Sequence, residues 1–288
     1  MHELLHQIST GIVNGCIYAM LALALVVVYR STHHVNFAQG EMAMFSTYIA
    51  AILIGADVPY PLAFLACVLF AFASGALVER VVMRPLHHAP VLSVVTVFVA
   101  LYVIVQSAAG LVFGYETRSF PSPFEALGTD GLLSGHEVGI LLTTVAVLGA
   151  MTAFFRYTRL GLAMRAVAVQ PLSSQLVGIR VSRLLMLSWG IAGAVGAVAG
   201  MLAAPIVFLD PHMMSGIMIY AFAAAIVGGI DSPVGAVVGG ILLGIFENLA
   251  GAYLVGTELK LTLALVAMIA VLIVKPQGLF GSRSAQRL

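Results

Sequence analysis

Ser9-Thr10-Gly11-Ile12-Val13-Asn14-Gly15-Cys16-Ile17-Tyr18-Ala19-Met20-Leu21-Ala22-Leu23-Ala24-Leu25-Val26-Val27-Val28-Tyr29 carries no charged side chain before Arg30 ends the run. A helix needs about 20 apolar residues to cross roughly 30 Å of hydrocarbon, so this stretch reads as a membrane-spanning helix. The rest of the chain repeats the pattern. Of its 288 residues, 61% are apolar and 9% charged, and the mean hydropathy is +1.08. An ordinary soluble domain carries about 25% charged residues. Here 13 basic and 12 acidic side chains cannot cover a soluble surface. A net charge of +1 gives no basic footprint for DNA or RNA. A cytosolic enzyme, a disordered chain and a nucleic-acid binder are therefore excluded. What remains is an all-α polytopic membrane protein.

Candidate spans are 9–29, 41–56, 61–80, 91–113, 138–155, 184–208, 213–230, 234–255 and 259–274, giving eight to ten crossings. The first begins near Ile8 and exceeds a signal h-region, so it reads as a retained helix. The polar stretch His33-His34-Val35-Asn36-Phe37-Ala38-Gln39-Gly40-Glu41 before the short second span is a candidate to dip into the bilayer. Gly228-Gly229-Ile230-Asp231-Ser232-Pro233 is either a tight cytoplasmic turn or a break at membrane depth, where protein or water must satisfy the backbone. Cys16 and Cys67 lie in apolar runs without metal-ligand spacing and read as small buried hydrophobes.

Loop charge orients the spans, because short basic loops stay in the cytoplasm. Alternation over nine spans puts eleven basic residues inside, among them Arg30, Arg80, Arg84 and the five arginines of 156–183, with Lys275, Arg283 and Arg287 in the tail. Only Arg118 and Lys260 fall outside, where most of the acids lie. The N-terminus is then external and the C-terminus cytoplasmic. The longest external loop is 114–137, in which Pro121, Pro123 and Gly128 argue against regular structure. Inside, 160–168 has helical spacing, Pro171 opens a second short turn and Gly178 suits a stop. A short amphipathic helix on the cytoplasmic face has the form of a docking element. No other soluble segment is long enough to fold alone, so residues 1–288 read as one membrane domain.

Chemical motifs are sparse. Lys260 and Lys275 both lack a preceding glycine-rich loop, so the chain has no Walker A device for ATP. Any pumping energy enters through a partner or an ion gradient. His2-Glu3-Leu4-Leu5-His6 matches the H-E-x-x-H zinc motif literally, but at the extreme terminus, and coincidence is the better reading. The pairs His33-His34 and His87-His88 read as interfacial polar residues rather than metal sites, since adjacent residues do not share a helix face. Gly190, Gly193, Gly196 and Gly200 recur in one span and Gly235, Gly239, Gly240 and Gly244 in another. They mark either tight helix packing or a pathway or dimer seam. Polar groups within spans are the strongest local signal, because lipid penalises them by several kcal/mol on most scales. Asn36, Gln39 and Glu41 cluster before the second span, and Glu247 and Asn248 lie well inside the eighth. Asn14, Gln106 and Ser188 are weaker hits. Each is either a helix–helix hydrogen bond or part of a water-filled pathway.

Several of these segments, in order and over nearly the whole chain, resemble the permeases of branched-chain amino-acid ATP-binding-cassette importers. Asn36-Phe37-Ala38-Gln39-Gly40-Glu41 is similar to that family's signature. Glu79-Arg80 with Met83-Arg84-Pro85-Leu86 resembles a family loop, and Arg118-Ser119-Phe120-Pro121 an external one. Gly161-Leu162-Ala163-Met164-Arg165-Ala166 through Gly178-Ile179 is similar to its cytoplasmic coupling segment, and 228–236 to its glycine-rich turn. Chain length and a start directly at the first span look more like the H-type subunit than the M-type. The chain departs from the pattern at His87-His88, at Gln170–Gln175 and at Asp231.

The resemblance implies an importer permease fold and a set of partners. These are a second permease subunit, two cytoplasmic ATPase subunits that use ATP and Mg²⁺, and an extracytoplasmic substrate-binding protein. The chain itself binds no cofactor and no metal. It sits in a bacterial inner membrane and moves branched-chain amino acids, or a related small amide or acid, by alternating access. Asn36, Gln39, Glu41 and Glu247 are the expected pathway residues, and Arg159, Gly161, Arg165 and Gly178 the expected ATPase dock. Two other readings stand beside it. One is an ion-driven secondary transporter using Glu41 or Glu247. The other is an intramembrane metalloprotease using His2, Glu3 and His6.

Overall fold

The computed structural model describes residues 2–87, 89–125 and 133–281. His88, residues 126–132 of the external loop, and Arg283 and Arg287 of the tail lie outside the described residues. Within them, all nine candidate spans are helices: α1 (His2–Thr32), α2 (Gln39–Gly55), α3 (Tyr60–Val78), α4 (Val91–Phe113), α5 (Gly135–Tyr157), α8 (Val181–Val207), α9 (Met213–Gly228), α10 (Pro233–Ala250) and α11 (Lys260–Val274). The internal loop adds α6 (Arg159–Val169) and α7 (Pro171–Leu176). Among the described residues, six helices are long and apolar enough to cross a membrane, while α9 and α11 are shorter apolar helices.

Helices α2 and α9 are short against the hydrocarbon span. At about 1.5 Å per residue, their 17 and 16 residues fall short of a full crossing. Helix α2 starts inside the bundle. Gly40 at the head of α2 lies against Met214 and Met218 near the head of α9, and Asn36, Gln39 and Glu41 are all buried. The polar stretch before the second span is therefore enclosed by the protein.

Helix α1 is the axis of the molecule. It packs along α8, α9 and α10, and a stretch of its second half, Ala19–Val28, is buried throughout. Small residues make this possible. A Cβ at Gly15 would sit 2.8 Å from the Gly240 carbonyl oxygen, and one at Gly240 would sit 2.7 Å from the Ala19 backbone. Helix α3 packs on α8 in the same manner, with Gly75 and Gly193 each against the other helix's backbone. The two glycine runs are thus seams within one chain. Helices α3, α4 and α5 turn most of their spans outward.

The glycine-rich segment after α9 is a tight turn. Gly229 takes φ +108°, and the N–H groups of Leu279 and Phe280 donate to the carbonyls of Val227 and Gly228 at 2.8 and 2.9 Å. The tail thereby satisfies carbonyls that the end of α9 leaves open. On the opposite side, Arg118 and Leu209 exchange two backbone hydrogen bonds of 2.9 Å, tying the loop between α4 and α5 to the end of α8.

A side chain at the α1–α10 seam has no space. Overpacking of this kind costs about 1–3 kcal/mol even where side chains alone must yield. Gly240→Leu should therefore lower the yield of monodisperse protein severalfold in size-exclusion chromatography. Gly149→Leu, where a Cβ meets nothing within 4 Å, should leave it unchanged.

Candidate functional site

The break between α1 and α2 has to satisfy its own polar groups, because at Asn36 and Ala38 it is buried among apolar side chains. Asn36 does most of this. Its Oδ1 accepts from the Ala38 N–H at 3.0 Å, and its Nδ2 donates to Gln39 Oε1 at 3.2 Å. Gln39 Nε2 then donates to the Ala192 carbonyl of α8 at 2.9 Å. This contact needs a bare backbone opposite, since a Cβ at Gly196 would fall 2.6 Å from Gln39 Nε2. Asn36 and Gln39 are 0% and 1% exposed. They hold the break in place and have no free polar atom to offer a solute.

Glu41 is different. It is buried, and only one of its oxygens has a partner: Ser215 Oγ donates to Oε1 at 3.2 Å, while Oε2 has none. From Ser215 a run of polar contacts leads outward. Tyr102 Oη lies 3.2 Å from Ser215 Oγ, Gln106 Nε2 donates to Tyr102 Oη at 3.3 Å, and the same nitrogen is 2.9 Å from His212 Nδ1. His212 is exposed and stacks at 6.3 Å on Tyr115. The run follows the junction of α2, α4 and α9 from a buried carboxylate to the surface. Of its members, the sequence singled out Glu41 and Gln106. Tyr102 was findable as the residue four before Gln106, on the same helix face. Ser215 and His212 carry no local signal.

Glu247 lies elsewhere. Its carboxylate sits beside the hydroxyls of Tyr18 and Tyr220, whose rings stack at 4.8 Å. Lys260 Nζ donates to the neighbouring Asn248 Oδ1 at 2.9 Å, and Asn248 Nδ2 donates to Gln7 at 2.7 Å. Glu41 and Glu247 therefore do not share a site. Helix α9 stands between them, offering Ser215 to one and Tyr220 to the other. A third buried acid, Glu79, is 0% exposed. It sits in a π-helical turn, Glu79–Met83, with Arg84 at 3.5 Å and His87 at 3.7 Å. Among the described residues, no group of three histidine, cysteine or acidic side chains is arranged to hold a metal.

The internal loop folds as two short helices on one side of the bundle. Thr158 caps α6 by accepting from the Gly161 N–H at 2.9 Å. A Cβ at Gly161 would run into the backbone of Phe154 and Phe155, so glycine lets α6 fold tightly back on α5. Gly178 takes φ +85° after α7, a conformation glycine adopts without strain. Met164, Val167 and Leu184 form a small core beneath. Outward face Leu162, Leu172, Leu176 and Val177, at 60%, 77%, 88% and 76% exposure. Arg159 is exposed beside them, and Arg165 lies on the flank of α6, turned toward Arg30 and Arg156. On the other side of the bundle, a cavity of 500 Å³ is lined by Asn14, Ser122, Glu125, His136 and Glu137.

Residues 7–272 match the family model described as the permease component of the branched-chain amino acid transport system. The high-affinity branched-chain amino acid transport permease LivH of Salmonella typhimurium is 32% identical, over 99% of this chain and 97% of its own. LivH of Escherichia coli matches with the same identity and coverage. BraD of Pseudomonas aeruginosa, also a high-affinity branched-chain amino acid transport permease, is 30% identical over 100% of this chain and 99% of its own.

Removing the Asn36 amide leaves the Ala38 N–H and one Gln39 oxygen without partners. Such a loss costs about 1–3 kcal/mol for a buried group. Asn36→Ala should lower the temperature at which the detergent-purified chain aggregates, whereas Asn14→Ala, at a half-buried position, should not.

Proposed function

Because the chain belongs to the family of branched-chain amino-acid transport permease components, we propose that it moves a branched-chain amino acid along the junction of α2, α4 and α9. The observation that carries this is the run from buried Glu41 to exposed His212. A zwitterionic solute needs a fixed acceptor for its ammonium, and the unpartnered Oε2 of Glu41 is one. Ile219, four residues after Ser215 on the same face of α9, is exposed and offers apolar contact to an aliphatic side chain. Ser215, Tyr102 and Gln106 keep their hydrogen bonds while the solute passes, so affinity stays modest and release is easy. Glu247 braces α1, α9 and α10 through Tyr18 and Tyr220. Asn36 and Gln39 shape the pathway wall without touching the solute.

The energy comes from outside the chain. We assign docking of one of the two cytoplasmic ATPase subunits to α6 and α7, whose exposed Leu162, Leu172 and Leu176 suit an apolar groove. Arg159 adds charge at its edge, and Gly161 and Gly178 set its shape. Arg165 supplies positive charge where the dock meets the lipid surface. ATP and Mg²⁺ belong to those subunits, so the permease performs no chemistry of its own. A second permease subunit completes the pathway, and an external binding protein delivers the solute. The basic loops orient the chain in a bacterial inner membrane, with the N-terminus outside and the C-terminus inside.

Reconstituted in liposomes with these partners, the chain should take up leucine only when ATP is enclosed with the ATPase subunits. Glu41→Gln should cut that uptake by about tenfold, the worth of one charge-assisted hydrogen bond, with assembly intact. Uptake by the lone chain under a pH gradient would contradict the proposal, and so would an unimpaired Glu41→Gln complex.

A further inference from the structure

Three arginines far apart in sequence meet at one cavity. Arg30 ends α1, Arg156 ends α5, and Arg165 stands on α6, and together they line a space of 450 Å³. The rest of its wall is almost wholly apolar, including Leu23 of α1, Met151 of α5 and Val237 of α10. No carboxylate lines it. Among the described residues, the ion pairs are those of Glu79 with Arg84 and His87, so none of the three guanidiniums has an acidic partner within 4.0 Å. Arg156 lies 5.7 Å from the Tyr157 ring centroid. Asp231 is near enough to act on Arg30 electrostatically, and it offsets one of the three charges at most.

Guanidinium groups do not deprotonate in proteins, so the repulsion here cannot be relieved by losing a proton. An anion relieves it. The cavity also selects among anions. A small soluble phosphate would satisfy the arginines and leave the apolar wall uncovered. A phospholipid supplies both parts, a phosphate for bidentate arginine contacts and an acyl chain for the wall between α1, α5 and α10. Its place also suits a lipid, because α6 and the arginine-bearing ends of α1 and α5 lie together on one side of the bundle. Basic pockets between helices on the cytoplasmic side bind lipid head groups.

We infer that Arg30, Arg156 and Arg165 form a binding site for an anionic phospholipid, which ties the coupling helix α6 to α1 and α5. The inference goes beyond the transport reading and rests on the cavity alone.

The test is native mass spectrometry of the permease complex, released from nanodiscs that contain phosphatidylglycerol and phosphatidylcholine together. Wild type should retain phosphatidylglycerol selectively. Arg30→Gln with Arg156→Gln should reduce retention by about tenfold or more, the loss expected for at least one charge-assisted hydrogen bond. Thr152→Trp fills the cavity from an exposed position while keeping every charge, and it should reduce retention as well. Melting temperature reports whether the variants fold. Equal retention of both lipids, retention unchanged in both folded variants, or displacement of the lipid by inorganic phosphate would overturn the inference. So would cross-linking of a Val238→Cys variant to the second permease subunit, since a protein would then cover the cavity.

Discussion

A polypeptide that breaks its helix inside a membrane has to supply every hydrogen bond that water would have made. The connection between α1 and α2 is organised around that constraint. Asn36 closes the turn, passes its second contact to Gln39, and Gln39 reaches the backbone of α8. That last contact requires α8 to come close, and Gly196 is where it does. With the break anchored there, α2 begins inside the protein and carries Glu41 with it. A carboxylate that an intact helix would have left near the water boundary is instead buried at the junction of three helices.

The same logic of close approach runs through the bundle. Lipid tails are as apolar as leucine, so membrane helices gain little from hiding apolar area and associate through packing. Glycines at the α1–α10 and α3–α8 seams let backbones touch. The tightness of these seams leaves α9 as the short helix between two carboxylates. It meets Glu41 through Ser215 and lies beside Glu247 through Tyr220. A shift of α9 is thereby felt at both acids, which suits a pathway that has to open and close.

Much of this was legible in the sequence, and the failures have a physical cause. Among the described residues, the nine helices at the candidate spans follow from the length of apolar runs, and the enclosure of Asn36, Gln39 and Glu41 follows from polar residues too costly to leave in lipid. What hydropathy cannot tell is which helices are central. The spans of α1 and α4 are equally apolar, yet one is 89% buried and the other 11%. Water would separate the two, and hydrocarbon does not. The small residues Gly11, Gly15 and Ala19 of α1 were the available clue. Glu41 was legible as a rare intramembrane charge, but its neighbours were not. Ser215, Tyr102 and His212 are ordinary polar residues that only the fold brings together. Arg165 shows the same limit. Its charge suits the expected ATPase dock, and what the sequence could not show is its place beside Arg30 and Arg156.

The central claim is that the junction of α2, α4 and α9 faces water rather than lipid. Cysteine accessibility tests it directly, because the native Cys16 and Cys67 are buried. Single cysteines at His212 and Gly216 should react in whole cells with a membrane-impermeant thiol reagent. A cysteine at Leu111, which is 85% exposed on the outer part of α4, should stay unreactive in lipid. If His212→Cys and Gly216→Cys prove as inert as Leu111→Cys, the junction is a lipid-facing surface and the pathway lies elsewhere.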